Sequence, residues 1–277
     1  MALSTKVSSE IAHAVITTDS DNVSVEDRED WNAWLQALGA FLVYVATWGL
    51  LSAYGSYEKY YQTVMLVSTS STAIAWIGTL QGVILILGGV VTGPIYDRGY
   101  IRELMITGTV TTVFGVMMLS LSHEYYQILL AQGICLGIGS AILYVPSISL
   151  IASRFQRHRP LAMFLATSGT AVGGIIYPII FSQLQPKLGF GWATRVLGFV
   201  TLVELLIAMA IMLPATKAKR SNKFRSLLDP TAFRDPAFMA FCVALFLMWI
   251  AYWVPSSYSQ PFPNSKQGQA PVWPFTF

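Results

Sequence analysis

Charged residues are scarce in this chain of 277 residues, where Asp, Glu, Lys and Arg make up 11% and hydrophobic residues 54%. A soluble domain usually carries about 25% charged residues. The composition therefore does not supply enough polar side chains to cover a water-soluble fold, and the mean hydropathy of +0.56 points the same way. Lipid, rather than water, is the predicted solvent for most of the chain.

Cysteine and histidine are also rare. Cys135 and Cys242 both lie inside apolar runs, which favours small buried packing residues over a disulfide framework or a metal pair. His13, His123 and His158 are too dispersed to suggest a metal site, and the sequence has no glycine-rich phosphate cradle or nucleophile elbow. We therefore expect no enzymatic activity, no cofactor and no bound metal. The net charge of only +3 gives no reason to expect a nucleic-acid partner.

Long apolar runs dominate the rest of the sequence. Each is long enough to cross about 30 Å of hydrocarbon at about 1.5 Å per residue. None alternates apolar and polar residues as the wall of a membrane barrel must, so the chain is predicted to be an all-α integral membrane protein. The seven predicted spans are Trp34–Tyr54, Ala73–Tyr96, Leu104–Ser122, Gln127–Ala152, Leu161–Leu184, Ala193–Leu213 and Pro236–Tyr252.

The spacing of these spans suggests a larger organisation. Six spans, a long loop and the start of another set are typical of a two-halved secondary transporter. We expect a six-helix N-terminal half at residues 31–214, a basic cytoplasmic loop at 215–235 and a seventh membrane helix at 236–258. Residues 1–30 and 259–277 have polar compositions that predict a disordered cytoplasmic tail and an unstructured tail.

Lysine and arginine are distributed unevenly around the spans. If the N-terminal tail is cytoplasmic, the loops on the inside hold eleven of them, not counting the tail, and the outside segments hold four. Positive residues accumulate in cytoplasmic loops, so we predict a multi-pass protein of the cell membrane with a cytoplasmic N-terminus. Its partners would be the lipid bilayer and a small-molecule solute.

A charged turn, Gly93-Pro94-Ile95-Tyr96-Asp97-Arg98-Gly99-Tyr100-Ile101-Arg102, joins the second span to the third. Gly93 would let two helices approach closely. Asp97 can accept hydrogen bonds from backbone donors, and Arg98 and Arg102 can bind carbonyls or anionic lipid headgroups. The turn resembles the cytoplasmic signature of the major facilitator superfamily, a Gly, three residues, Asp-Arg, and then a Gly and basic residues. We call residues 93–102 the signature turn.

Further motifs resemble the fungal monocarboxylate-porter-like branch of that superfamily. They lie at Trp31–Phe41, Ala53–Tyr61, Ala75–Gln81, Arg154–Ala162, Ser168-Gly169, Gly173-Gly174 and Tyr177-Pro178. The resemblance implies the major facilitator fold, with two three-helix repeats in the N-terminal half and a seventh helix. It also implies a secondary active transporter that moves a small organic acid or secondary metabolite across a membrane by alternating access.

Polar residues inside the predicted spans are few. Each could line a central path, or could instead bond to a neighbouring helix. The candidates for the path are Tyr54, Gln81, Gln132, Tyr144 and Tyr177. Glu204 is an acid deep in the sixth span, where it is either a proton-coupling residue or a protonated or helix-paired packing residue.

A second hypothesis stays open because the family character ends after Tyr258. On this hypothesis the chain is a truncated, transport-inactive fragment or a membrane interaction subunit. Self-association of two copies could then replace the missing half.

Overall fold

The computed structural model describes residues 31–214 and 235–258. The predicted tails and nearly all of the basic loop lie outside these ranges. The described secondary structure is helical, which confirms the all-α prediction. The helices are α1 (Trp31–Met65, π-helical over Tyr61–Met65), α2 (Ser71–Asp97), α3 (Ile101–Leu119), α4 (Tyr125–Arg154, π-helical over Leu129–Leu136), α5 (Arg159–Met212) and α6 (Pro236–Tyr258).

Helix α5 reverses direction at Gly189. This residue has φ 78° and ψ 170°, a conformation that glycine adopts without the steric cost other residues incur. The hydroxyl oxygens of Tyr177 and Thr201, 24 residues apart, lie 3.0 Å from each other, whereas a straight helix would separate these positions by about 36 Å. Helix α5 is therefore an antiparallel pair, with a first arm at 159–188 and a second arm at 190–212.

These two arms correspond to the fifth and sixth predicted spans. The prediction leaves a connection between the end of one span at Leu184 and the start of the next at Ala193. The structure is helical through this stretch except at Gly189. In residues 31–214, five helices are long and apolar enough to cross a membrane. Because α5 folds back on itself, this part of the chain provides six crossings.

The six crossings pack as two sets of three. Helix α1 packs against both arms of α5, and α4 packs in the same way against α2 and α3. The second arm of α5 also contacts α3, and α1 contacts α4. The first helix of each predicted repeat, α1 or α4, thus packs mainly against the second and third helices of the other repeat. The pair of three-helix repeats itself stays a prediction.

Glycines bring the backbones of α1 and the first arm of α5 into contact. A Cβ atom on Gly169 would lie 2.4 Å from the carbonyl oxygen of Phe41, and one on Gly173 would lie 2.4 Å from that of Val45. Real side chains do not reach such distances, so the four-residue glycine spacing forms a helix-packing face here.

Apolar clusters fill the two ends of the bundle. Near Gly189, the rings of Tyr57, Tyr61, Phe181 and Phe190 are buried together. At the other end, near the signature turn, the second cluster includes buried residues of α1, α3, α4 and both arms of α5. We refer to these as the Gly189 end and the signature end.

Helix α6 belongs to a separate compact unit and is described by itself. Its 23 residues are strongly apolar. The side chain of Asp235 accepts a hydrogen bond of 2.9 Å from the backbone N–H of Ala237, which satisfies one of the free donors at the start of the helix.

Gly173→Ala is expected to destabilise the bundle, because the added methyl group would push α5 away from the carbonyl of Val45. The cost should be about 1–3 kcal/mol, as for other overpacked sites, measured by thermal unfolding of the purified protein in detergent. The matched control is Gly93→Ala in α2, where a Cβ would meet nothing within 4 Å. Equal melting temperatures for the two variants would contradict the packing role of Gly173.

Candidate functional site

The signature turn is a helix cap built around Gly99. This residue has φ 89°. Its N–H donates to the carbonyl of Tyr96 at 2.8 Å, and the N–H of Tyr100 donates to that of Ile95 at 3.4 Å. The two bonds form a Schellman motif, which needs a left-handed residue, commonly glycine, just past the helix end. The turn is thus fixed by its own backbone.

The charged residues of the signature turn lie at the surface of the bundle end. Asp97 is the last residue of α2 and is exposed, Arg98 follows it as the C-cap, and Arg102 is exposed in the first turn of α3. The helix ends place all three side chains within one short connection. Their role in conformational change remains a prediction.

Gly93 does not have the predicted packing role within the described residues. A Cβ there would have no neighbour within 4 Å. The close approach of α2 to α4 occurs one turn earlier, where a Cβ on Gly88 would lie 2.5 Å from the Cβ of Ala141. The prediction of close helix packing at Gly93 is therefore wrong for this bundle, because α2 meets α4 at Gly88 and the adjacent Gly89.

Buried polar side chains lie between the two apolar clusters. On α4, Ser140 lies between Leu136 of the Gly189-end cluster and Leu143 of the signature-end cluster. On α3, Thr112 lies between Met105 of the signature-end cluster and Val116 of the Gly189-end cluster. Together with Gln81 of α2, these residues form what we call the middle layer. Secondary transporters bind their substrates at about this depth.

The middle layer contains polar atoms without hydrogen-bond partners. Gln81 is fully buried, yet neither its amide nitrogen nor its amide oxygen has a partner in the described part of the chain. The buried hydroxyls of Thr112 and Ser140 are also unpaired there. Burial of unpaired polar groups costs free energy, so these positions stand out from the otherwise well-packed interior.

An aromatic group joins α1 to α4 near the middle layer. The ring of Tyr144 lies 5.3 Å from that of Tyr44 and 5.8 Å from that of Trp48, measured between centroids. Trp48 and Tyr144 are only half-buried. The indole N–H of Trp48 is itself buried, with no acceptor among the described residues. The group offers aromatic faces and a hydrogen-bond donor.

Gln132 of α4 is bonded to α1. Its side-chain oxygen accepts a hydrogen bond of 2.8 Å from the hydroxyl of Tyr61, and both side chains are buried. The bond connects the π-helical segments of the two helices, a geometry often found at functional sites. In this bundle Gln132 joins two helices at the Gly189 end.

Tyr177 and Glu204 form a polar contact between the two arms of α5. The hydroxyl of Tyr177 donates to a carboxylate oxygen of Glu204 at 2.8 Å and also contacts the hydroxyl of Thr201. The ring of Tyr177 lies against α1, where a Cβ on Gly49 would be 2.8 Å from it. The structure thus brings together one predicted path residue and the predicted coupling residue.

Tyr54 bridges α1 and α2 rather than joining this group. Its hydroxyl donates to the backbone carbonyl of Ile74, and its ring occupies the space that a side chain at Gly78 would fill. The glycine at position 78 is the sequence signal for this contact. Tyr54 lies at the Gly189 end of the bundle.

Tyr44, Trp48 and Tyr61 contribute to these contacts but are not among the candidate site residues of the sequence, and Gly99 belongs to the signature turn without a predicted capping role. Tyr44 and Trp48 are four residues apart, the spacing that places two side chains on one helix face. Gly99 follows a helix end, which is a capping signal. Nothing in the sequence indicates that Tyr61 should bond to Gln132, because the partners are 71 residues apart.

A double-mutant cycle of Tyr177→Phe and Glu204→Leu should give a coupling energy of about 0.6–1.7 kcal/mol, the range for hydrogen bonds between membrane helices. The measurement is the unfolding free energy of each single and double variant in detergent. Tyr177→Phe combined with Glu58→Gln is the control, because Glu58 bonds to Gln62 within its own helix and the two effects should be additive. A coupling energy of zero for the first pair would rule out the contact.

The chain matches the family model of the major facilitator superfamily over residues 36–273. It is 43% identical over 234 residues to the MFS-type transporter dbaD of Emericella nidulans, covering 84% of this chain and 52% of dbaD. It is also 43% identical over 213 residues to the MFS-type transporter eupM of a Phoma species, covering 76% of this chain and 75% of eupM.

A third relative is the fujikurins efflux protein of Gibberella fujikuroi, which is 36% identical over 226 residues. The match covers 82% of this chain and 48% of that protein. The chain thus spans about half the length of dbaD and of the fujikurins efflux protein, and three quarters of eupM. With the six crossings of residues 31–214 and these matches, the chain is a multi-pass membrane protein that belongs to the major facilitator superfamily of transporters.

Proposed function

We propose that this chain supplies the N-terminal part of a monocarboxylate-porter-like secondary transporter, which moves a small organic acid or a fungal secondary metabolite by alternating access. The division into a bundle at 31–214, a basic cytoplasmic loop and a seventh span at 236–258 is part of this proposal. The main support is that the superfamily model matches residues 36–273, that fungal MFS transporters match up to 84% of the chain, and that one of them is named for the efflux of fujikurins.

The aromatic group of Tyr44, Trp48 and Tyr144 suits such a solute. Trp48 and Tyr144, both half-buried, offer ring faces to an apolar or aromatic body. The indole N–H of Trp48 is a hydrogen-bond donor without an acceptor among the described residues. Helices α1 and α4 carry these groups between the apolar ends of the bundle. Gln132, Tyr177 and Tyr54 would then shape the bundle around the path through their contacts with neighbouring helices.

In this proposal the signature turn works as a conformational element. The Schellman cap holds the backbone of the turn, while Asp97, Arg98 and Arg102 present charge at the bundle end. In an alternating-access transporter one half rocks against the other about a central site. A rigid charged turn is suited to forming and breaking contacts with the opposing half.

The transport path needs a second set of helices opposite α1 and α4. Relatives such as dbaD have about twice the length matched here, and their further residues are where such helices would come from. Two copies of this chain facing each other could provide the same arrangement. The flux measurement below distinguishes a path that needs a further half from one formed by self-association.

Glu204 is the proposed proton-coupling residue, and its alternative role is packing between the arms of α5. The bond from Tyr177 supports either role. Glu204→Gln keeps an oxygen that can accept this bond but removes the titratable group. A coupled transporter would therefore lose its response to a proton gradient in this variant and keep its stability.

The proposed orientation has the N-terminus and the signature end in the cytoplasm. In eukaryotic cells, acceptor sites for N-glycosylation inserted into the 66–70 and 120–124 loops should be modified, because these loops lie at the Gly189 end. A site inserted into the 155–158 turn should remain unmodified. The reverse pattern, read from mobility shifts that a glycosidase removes, would overturn the orientation.

Flux through the protein can be tested in proteoliposomes, with lactate and 6-methylsalicylic acid as probe acids. The chain is reconstituted alone and together with the second half of dbaD. We expect saturable flux of at least one probe, lowered roughly tenfold by Trp48→Leu, which corresponds to about 1.4 kcal/mol. Trp31→Leu is the control, because this ring is 77% exposed at the start of α1.

The two preparations separate the possible results. Flux from the chain alone supports a path formed by self-association, and flux only with the added half supports a shared path. If neither probe crosses in either preparation while both proteins remain folded, the proposal fails for this solute class and the transport-inactive hypothesis is favoured.

A further inference from the structure

A cation and an exposed ring lie side by side where α3 ends against α5. The central carbon of the Arg195 guanidinium is 5.0 Å from the centroid of the Trp192 ring, and its Nε donates to the hydroxyl of Ser120 at 3.3 Å. The carbonyl of Ser120 lies 3.1 Å from where a Cβ on Gly191 would be. We call Ser120, Trp192 and Arg195 the α3–α5 rim.

The length of α3 gives the depth of this rim. The helix has 19 residues and so rises about 28 Å, close to the roughly 30 Å of a bilayer's hydrocarbon core. Ser120 directly follows the last residue of α3 and therefore lies near the boundary between hydrocarbon and headgroups. Trp192 is 57% exposed there, as is common for tryptophan at membrane interfaces.

The guanidinium of Arg195 is held in place but retains free donors. A guanidinium carries five N–H donors in a planar fork that matches phosphate oxygens. The Nε–H of Arg195 is used by Ser120, and stacking on Trp192 restrains the plane of the fork. Within residues 31–214 no carboxylate forms an ion pair with Arg195. The terminal nitrogens are therefore available to an anion.

The start of the second arm of α5 adds to the attraction for an anion. This arm begins just after Gly189, and Trp192 lies in its first turn. The N-terminal end of a helix carries a partial positive charge that favours anions. This partial charge and the guanidinium of Arg195 both lie beside the exposed ring of Trp192.

We propose that the α3–α5 rim binds the phosphate of a membrane phospholipid. Arg195 donates hydrogen bonds to the phosphate oxygens, and Trp192 packs against the glycerol backbone and the first methylene groups of the acyl chains. Ser120 positions Arg195 through the bond to Nε. The site depends on neither the transported solute nor the direction of transport.

Native mass spectrometry of the full chain in detergent tests this site, with phosphatidylglycerol as the probe and the first bound lipid as the measured species. Arg195→Ala should weaken its binding by about fivefold, the effect of one basic residue near a membrane surface. Arg195→Lys should give a smaller loss, because an ammonium keeps the charge without the planar fork. Lys187→Ala is the control for a basic residue outside the rim, and its loss should be smaller than that of Arg195→Ala, because it removes a charge near the same surface but no donor to the phosphate.

Two further compounds test which part of the lipid is recognised: diacylglycerol, which lacks the phosphate, and inorganic phosphate, which lacks the acyl chains. Diacylglycerol should bind at least fivefold more weakly if the phosphate is recognised, and inorganic phosphate at equal concentration should not displace the lipid. Unchanged binding in a folded Arg195→Ala variant, or equal binding of diacylglycerol, would overturn the proposal. Displacement by inorganic phosphate would instead identify a site for free anions. If Arg195→Ala does not fold, Trp192→Leu replaces it, with the same expected direction.

Discussion

The close approach of α1 to the first arm of α5 determines how the rest of the bundle is arranged. In lipid there is little hydrophobic drive between helices, so tight backbone packing contributes much of their association. Gly169 and Gly173 allow that packing against the carbonyls of Phe41 and Val45. The reversal at Gly189 then brings the second arm back along α1. Beside this contact, the rings of Tyr44 and Trp48 on α1 reach the ring of Tyr144 on α4.

Much of this fold could be predicted from the sequence, because the constraints are local. Spans follow from apolar length, and the positions of Gly169 and Gly173, four residues apart, lie on one face of a helix. The sequence could not show which glycine meets which helix, since that depends on where helices cross. Gly93 and Gly88 illustrate this, because both are small residues of α2, yet Gly88 alone of the pair is in close contact with α4.

Pairing between distant polar residues was beyond sequence reasoning for a related cause. Tyr177 and Glu204 could each be named as a polar residue in a span, but their contact exists only because α5 folds back between them. Gln132 likewise bonds to Tyr61 through the packing of α4 on α1. A residue type limits what a side chain can do, and tertiary packing decides which partner it has.

The distribution of satisfied and unsatisfied polar groups bears on the proposed mechanism. Tyr61 with Gln132, and Tyr177 with Glu204, form bonds between crossings that hold the bundle together as one body. Gln81 and the hydroxyls of the middle layer lack such bonds in the described chain, although folding alone would favour apolar residues there. Sites that keep a costly local feature are often functional. A bundle with firmly joined helices and polar groups at mid-depth is what rocking about a central solute would require.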